Sequence, residues 1–233
     1  MKTPKNHIVV LAVVLGLEVG CNTSAPPSSP ATSGTATSTT SVSPGPSAKA
    51  MTEEQAVAEL TKIGAKINHE NGKYLVDIRN TSEFTDAEMD LLEKLPNIVD
   101  LYLENVPVSD DGLPKLVSQP HIGRLVLNDC DISGKGLRTL SQLPLHLGLY
   151  DLSLRKARIT DEDAKLLAEF PRLSCINVGE TLMTDNIIPI LSKLPLNILY
   201  RKNSKLTEEG IAELKKVRPN LDVRPNSNDP NAK

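Results

Sequence analysis

The chain has 233 residues, of which 39% are hydrophobic and 3% aromatic, and it contains no Trp. This length and hydrophobic content suffice for one sizeable folded domain with polar tails. A nucleic-acid-binding surface needs clustered Lys and Arg to replace phosphate counterions. The 26 basic and 29 acidic residues give a net charge of −3, which argues against a nucleic-acid partner. The few aromatic residues leave little for stacking on bases or sugars.

Residues 1–20 have the pattern of a secretory signal peptide. Lys2 and Lys5 give a positive start, and residues 8–17 form an apolar run. As a helix, ten residues rise about 15 Å, which is half of the roughly 30 Å core of a bilayer. The run is therefore too short for a permanent span and is typical of a signal that directs export.

The end of this signal resembles the lipobox of bacterial lipoproteins, in which a small residue precedes a cysteine that becomes acylated. Gly20 and Cys21 match that motif, whereas Glu18 stands where the motif normally has an apolar residue. The resemblance implies lipid attachment at Cys21, and hence a protein anchored to a membrane of the bacterial cell envelope, periplasmic or on the surface. Ordinary signal cleavage is the alternative, and it predicts a secreted protein.

Two further segments are too polar to bury a core. Residues 21–50 are nearly all Ser, Thr, Pro, Ala and Gly, so we expect a disordered linker. A flexible tether of about 29 residues has a reach near 30 Å, enough to hold a domain away from a membrane. Residues 224–233 are also polar, and we expect a disordered tail there.

From Tyr74 onward the sequence repeats itself. The marker is a Ser or Thr, usually followed by Asp, that comes directly after an apolar residue. The markers are Thr85, Ser109, Ser133, Thr160, Thr184 and Thr207, at intervals of 24, 24, 27, 24 and 23 residues. A near-constant period of this length indicates a solenoid, and the long interval contains an apparent insertion at residues 145–147.

Each repeat has a strand half and a helix half. Apolar residues alternate with period two in the first half, as in Leu101 and Leu103, which predicts a short strand with one buried face. The Ser or Thr then caps a short helix, and a Pro closes most repeats because a helix cannot continue through it. Stacked repeats bury a core between a curved parallel sheet and outer helices.

These repeats resemble the leucine-rich-repeat superfamily, in its bacterial T-D-x-G-L, ribonuclease-inhibitor-like form. The resemblance is carried by strands such as Leu101-Tyr102-Leu103 and by helix starts such as Ser109-Asp110-Asp111-Gly112-Leu113. It implies an α/β solenoid of about five to six repeats over residues 74–223. In the fifth repeat, Arg201 or Lys202 falls where an apolar residue is expected, so the register of that strand is left open.

Residues 51–73 have the pattern of an N-terminal cap for this solenoid. Thr52 and Gln55 form a capping box for an amphipathic helix that ends at Gly64. Asn71 and Gly72 then mark a hairpin turn. A helix followed by a hairpin would cover the end that stacking otherwise leaves exposed.

The residue types that carry chemistry occur in no catalytic or metal-binding pattern. Cys130 and Cys175 lie two repeats apart, roughly 10 Å in a stack with strands spaced about 4.8 Å, which is too far for a disulfide. Residues 129–134 imitate the start of a calcium loop, but its twelfth position is Leu140 instead of a bidentate Glu. We therefore predict no enzymatic activity, no cofactor and no metal.

The side chains that alternate with the buried strand positions point into the arc of the solenoid, and we refer to this side of the sheet as the concave face. The candidate binding residues there are Asp100, Tyr102, Arg124, Val126, Asp151, Ser153 and Asn177. Cys175 shares this face, and so does Tyr200 if its register holds. Tyr and Arg are favoured at the centres of protein interfaces. We predict a monomeric protein-interaction module with an unidentified protein partner; the alternative is a structural or polysaccharide-binding protein of the cell wall.

Overall fold

The computed structural model describes residues 51–225, so the predicted signal, linker and all but the first two residues of the tail lie outside the described residues. Within 51–225, eight strands form one sheet whose strand order follows chain order. The strands are β1 (Lys66–Glu70), β2 (Lys73–Arg79), β3 (Ile98–Glu104), β4 (Arg124–Asn128), β5 (Asp151–Ser153), β6 (Cys175–Asn177), β7 (Ile198–Tyr200) and β8 (Asp222–Arg224). Arg224, which the sequence assigns to the tail, is thus the last residue of a strand.

Helical segments follow the strands on the other side of the core. The α-helices of the described chain are α1 (Glu53–Lys62), α2 (Gly134–Gln142), α3 (Ile188–Leu191) and α4 (Glu208–Val217). The other helical segments are 3-10 helices at Glu88–Lys94, Leu113–Ser118, Pro144–Leu147, Asp163–Glu169 and Asp185–Ile187. No helix among the described residues is long and apolar enough to cross a membrane.

The first two strands join a hairpin to the repeat stack. β1 and β2 pair antiparallel, and the turn residues Asn71 and Gly72 have φ angles of 52° and 72°. Positive φ at both positions is what a tight hairpin turn requires, and Asn and Gly adopt it most readily. β2 then pairs with β3 in parallel, as do all later neighbours through β8. Ahead of the hairpin, the predicted capping box at Thr52 and Gln55 is present at the start of α1.

The parallel register aligns one apolar residue of each strand in a single buried row. Leu101, Leu125, Leu152, Ile176 and Leu199 pair in sequence along β3–β7, and all five side chains have no solvent exposure. This row settles the register of the last repeat. Because Leu199 occupies the buried position, its neighbour Tyr200 lies on the concave face beside Asn177, and the polar residues at 201 and 202 follow the strand.

Just beyond the strands, a residue in the left-handed conformation turns the chain toward the helical side in successive repeats. These corner residues are Asn80, Asn105, Asp129, Lys156, Glu180 and Asn203, with φ between 51° and 64°. Asn and Asp tolerate this conformation because their short polar side chains bond locally. The pattern accounts for the Asn and Asp residues that recur after the predicted strands.

At several helix starts, an Asp carboxylate of one repeat accepts two hydrogen bonds from the Ser or Thr of the next repeat. We call this contact the carboxylate staple. The backbone N–H and the hydroxyl of Ser109 donate to the two carboxylate oxygens of Asp86, over 2.8 and 2.5 Å. A Cβ at Gly112 would lie 2.4 Å from that carboxylate, so a larger residue there would have to displace it. The same arrangement joins Asp110 to Ser133 and Gly136, and Asp185 to Thr207 and Gly210. Asp161 makes the same two contacts to Thr184 with Ile187 at the glycine position, so the staple accounts for the Ser/Thr and Asp of the pattern.

Candidate interaction surface

The structure brings all seven predicted surface residues to one side of the sheet, in two adjacent rows. Asp100, Arg124 and Asp151 are paired neighbours on β3, β4 and β5, and the second row, two residues further along each strand, is Tyr102, Val126, Ser153 and Asn177. One groove of about 570 Å³ crosses this face and is lined by residues of β2–β7. The groove spans six consecutive strands, and we keep the name concave face for the side of the sheet that carries it.

Arg124 organises one margin of the groove. Its Nε donates to Asp151 over 2.9 Å, and its Nη1 donates to the Tyr102 hydroxyl over 2.8 Å and lies 3.7 Å from Asp100. Burial disfavours the guanidinium charge, but the hydrogen bonds to Tyr102 and Asp151 outweigh burial and raise the pKa of Arg124. We call these four residues the Arg124 cluster.

Within the Arg124 cluster, Asp100 is a carboxylate whose charged form is disfavoured by its surroundings. Its side chain is only 19% exposed, and that burial raises the pKa of Asp100 against the opposing attraction of Arg124, while the charge of Asp151 raises it further. Two carboxylates thus share one guanidinium, and Asp151 makes the shorter contact to it.

A second group of charges, which the sequence did not indicate, lies on the opposite side of the Tyr102 row, except for Asp77, which is the register partner of Tyr102 on β2. Glu104 accepts from Arg155 over 2.8 Å and from Arg79 over 3.3 Å. Arg79 also pairs with Asp77 at 2.5 Å, and Arg155 with Glu180 at 3.3 Å. We call these five residues the Glu104 network. Glu104 and the two arginines expose no more than 17% of their side chains, so the network is a fixed part of the surface.

Tyrosines mark the two ends of the row between these charges. The Arg79 guanidinium lies 5.1 Å from the ring centroid of Tyr102. At the far end, Arg224 donates to the Tyr200 hydroxyl over 3.3 Å and lies 5.8 Å from its ring centroid. Each ring is therefore held in place by an arginine. The sequence left the register of this strand open, so the position of Tyr200 on this face comes from the structure.

Tyr150 is a further residue of this surface that the sequence analysis did not single out. It is 41% exposed, lines the groove, and lies with its ring centroid 6.0 Å from the Arg124 guanidinium. It comes one residue before β5, where the period-two pattern of the strand does not apply. The exposed ring enlarges the margin formed by the Arg124 cluster.

Both described cysteines are buried, reduced thiols. Burial raises the pKa of Cys130 and of Cys175 to about 12. A thiol with such a pKa stays protonated at neutral pH, and the thiolate is the reactive nucleophile. These cysteines therefore pack as small apolar side chains, in line with the position of Cys130 just after a strand. Among residues 51–225, no group of three or more His, Cys, Asp or Glu side chains is arranged to hold a metal ion.

The fold and the surface together define the class of protein. One strand and one helical segment per repeat, stacked in register into a parallel sheet with a groove, constitute an α/β solenoid, which is the fold that the resemblance to leucine-rich repeats predicts. No protein-family model matches the sequence, and a search of curated proteins also gave no match.

A search of the solved structures matched two internalins and a pollen receptor kinase. Internalin C2 from Listeria monocytogenes is 20% identical, with 68% of this chain and 76% of that chain covered at a TM-score of 0.44. Pollen Receptor Kinase 3 is 18% identical (72% and 83% covered, TM-score 0.42), and internalin F from Listeria monocytogenes is 14% identical (71% and 81% covered, TM-score 0.23). The function proposed below rests on this chain's own residues.

Proposed function

We propose that this protein is a non-enzymatic interaction module of the bacterial cell envelope that binds another protein on its concave face. The observation that carries the proposal is the groove of about 570 Å³ between two fixed sets of ion pairs. Side chains that are already held in place lose little freedom when a partner docks, so more of the contact energy remains as affinity. Tyr102 and Arg124 both line the groove, and these are residue types favoured in interface hot spots.

The chemistry of the groove supports binding over catalysis. Its charged side chains are engaged with one another in the Arg124 cluster and the Glu104 network. The groove thiol, Cys175, is kept protonated by burial. A general acid, base or nucleophile needs a reactive group tuned near the working pH and aimed at a substrate.

We also propose the setting in which the module works. The signal pattern of residues 1–20 and the Gly20-Cys21 pair support lipid attachment at Cys21, and the Ser/Thr/Pro-rich residues 22–50 support a tether that lifts the domain from the membrane. The same reading implies an N-terminal cap at residues 51–73, about five to six T-D-x-G-L repeats, and a monomer. The cap is supported by the position of α1, which packs beside the 3-10 helix Glu88–Lys94 at the start of the stack.

Affinity capture from envelope membranes tests the binding proposal. The bait is the full protein, compared with a triple variant, Asp100→Ala, Tyr102→Ala and Arg124→Ala. A control variant, Arg138→Ala with Glu169→Ala, removes one charge of each sign from exposed positions on the helical side. We expect the triple variant to lose a partner that the wild type and the control both retain. Identical partner sets for all three proteins would contradict binding at the concave face.

Metabolic labelling with an alkynyl fatty acid tests the anchor. We expect label on the wild-type protein and none on a Cys21→Ser variant, which should also move from the membrane fraction to the soluble fraction. An unlabelled wild-type protein would mean ordinary signal cleavage and a freely secreted module. That result would leave the binding proposal intact, because the groove does not involve Cys21.

A further inference from the structure

Tyr150 lines two cavities, the groove and a smaller cavity beside it at the N-terminal ends of the strands. The smaller one has a volume of about 460 Å³, and we call it the rim cavity. The Tyr150 ring lies against Gly123, since a Cβ at that glycine would be 2.5 Å from the ring. The ring is still 41% exposed, and Tyr is a residue type favoured in interface hot spots.

On the groove side of Tyr150, acidic charges exceed basic ones. The Arg124 cluster sets one guanidinium against the carboxylates of Asp100 and Asp151. The Glu104 network sets two guanidiniums against three carboxylates. Each set therefore keeps one negative charge in excess. A cationic group that enters the groove would meet a complementary charge from either set.

The rim cavity has the opposite balance. Lys73 and Arg172 line it and are both exposed, and neither makes an ion pair within residues 51–225. Asp100, the carboxylate that lines this cavity, is already paired with Arg124. The rim cavity therefore presents two unpaired cations to an anionic group, and the charge of the surface changes sign across Tyr150.

We infer that the partner docks over Tyr150 with a segment that carries both charge signs, a Lys or Arg that enters the groove and an Asp or Glu that reaches the rim cavity. The basic group lies against the excess carboxylate charge of the groove, and the acidic group pairs with Lys73 or Arg172. The residues between them pack on the exposed ring of Tyr150. The inference rests on the proposed function and specifies the charge pattern of the partner.

The change of sign across Tyr150 is what selects a segment of this kind. A ligand with basic groups alone would be repelled by the rim cavity, and one with acidic groups alone would be repelled by the groove. Like charges placed opposite each other in an interface are unfavourable and exclude wrong partners. A segment with one charge of each sign avoids both repulsions.

Selection of random ten-residue peptides on the full protein tests the inference. The selection is made at low ionic strength, where exposed charges act over the longest range. Each selected peptide is then remade with its basic residue or its acidic residue replaced by Gln. An array of neutral, acidic and amino-sugar glycans is probed in parallel.

Four proteins are compared with the wild type. The rim variant is Lys73→Glu with Arg172→Glu, and its matched control on the helical side is Arg138→Glu with Lys193→Glu, the same change of charge at exposed positions. Tyr150→Ala removes the ring between the cavities. Asp100→Asn removes the excess charge of the Arg124 cluster, and it also supplies a test of the groove side that does not depend on loss of a hydrogen bond to Arg124.

We expect the selected peptides to carry both charge signs and to bind at least fivefold more weakly when either charge is removed. The rim variant and Tyr150→Ala should weaken binding at least tenfold, Asp100→Asn about threefold, and the control variant should bind as the wild type does. In the rim variant, replacing the acidic residue of the peptide should no longer weaken binding.

Selected peptides of a single charge sign, or a rim variant that binds as well as the wild type, would overturn the inference. Binding to amino-sugar glycans without binding to peptides would also overturn it. If affinity capture finds a partner that depends on the concave face while no peptide of both signs binds, the inference fails and the proposed function stands. If both experiments find nothing, both fail.

Discussion

Arg124 shows how a single side chain sets the character of the concave face. It reaches the hydroxyl of Tyr102 and the carboxylate of Asp151, and it lies 3.7 Å from Asp100. These contacts hold the Tyr102 ring in place and set one guanidinium against two carboxylates. The cluster therefore keeps one acidic charge in excess at this point of the groove.

The raised pKa of Asp100 makes the stability of the protein depend on pH. Since burial raises the folded-state pKa of Asp100 above its unfolded value near 4, protonation favours the folded state, and this gain is lost as the pH rises through the folded pKa. We predict that Asp100→Asn raises the free energy of unfolding at pH 7 by up to about 1 kcal/mol. The gain should shrink toward zero near pH 3.

Urea denaturation of the wild type and of Asp100→Asn at pH 3, 5 and 7 measures this difference. Asp151→Asn is the informative comparison, because Asp151 makes the 2.9 Å contact to Arg124 and its loss should destabilise the protein at pH 7. A variant at Asp100 that is less stable than the wild type at neutral pH would show that its attraction to Arg124 outweighs burial.

The period-two pattern was enough to assign Asp100 and Tyr102 to the same side of the sheet, because side chains alternate strictly along a strand. The contacts among these residues needed the structure. Glu104 and Arg155 are 51 positions apart and meet past an intervening strand, a pairing that depends on rotamers as well as on register. Asn128, which also lines the groove, was missed because a polar residue at the end of a predicted strand is common and gives no signal of its own.

At the scale of elements, the carboxylate staple between repeats explains an exception to the T-D-x-G pattern. Gly134 occupies the Asp position of its repeat, so it offers no carboxylate to Thr160. The next repeat supplies one itself, because Asp163 replaces the glycine and accepts from the Thr160 N–H over 2.9 Å and from its hydroxyl over 2.7 Å. A Cβ at Gly134 would lie 1.9 Å from Asp163. Compared with the T-D-x-G pattern, glycine therefore stands at the aspartate position of one repeat, and aspartate stands at the glycine position of the next.

This exchange predicts strong coupling between the two positions. Gly134→Asp alone should destabilise the protein by about 2 kcal/mol or more, because the new carboxylate meets Asp163. Asp163→Gly alone should cost about 1 to 2 kcal/mol, because Thr160 loses its acceptor. The double variant recreates the staple seen between Asp110 and Ser133 and should recover most of the loss.

A double-mutant cycle by urea denaturation measures the coupling. We expect an interaction energy of about 2 kcal/mol, which is within the range for residues in contact. Additive effects of the two substitutions would mean that the acceptor for Thr160 can come from elsewhere, and the staple would then not explain the pattern.

The type of the outer helices could not be read from the sequence. Ser/Thr caps and closing prolines predict helices in the right places, but most of the segments that lie opposite β2–β6 are 3-10 helices. A 3-10 helix rises about 2.0 Å per residue against 1.5 Å for an α-helix, so it lets a short segment span the same distance. The nine-residue α2 lies in the long 27-residue interval, where more chain is available.

At the scale of the whole molecule, the solenoid acts as a rigid frame for the groove. Neighbouring repeats share the sheet, the buried apolar row and, at several helix starts, a carboxylate staple. The groove is therefore lined by residues of six consecutive strands, β2–β7, that are held in one sheet. Repeat proteins use extended surfaces of this kind for binding, and the tether we propose would place such a surface within reach of other envelope proteins.

The central claim is that the concave face is the surface that contacts a protein partner. Site-specific photocrosslinking in intact cells tests it most directly, with a photoreactive amino acid at Val126 in the groove or at the exposed Arg138 on α2. We predict a discrete crosslinked product from position 126 and none from position 138. Products from position 138 alone, equal products from both positions, or no product from position 126 would contradict this account.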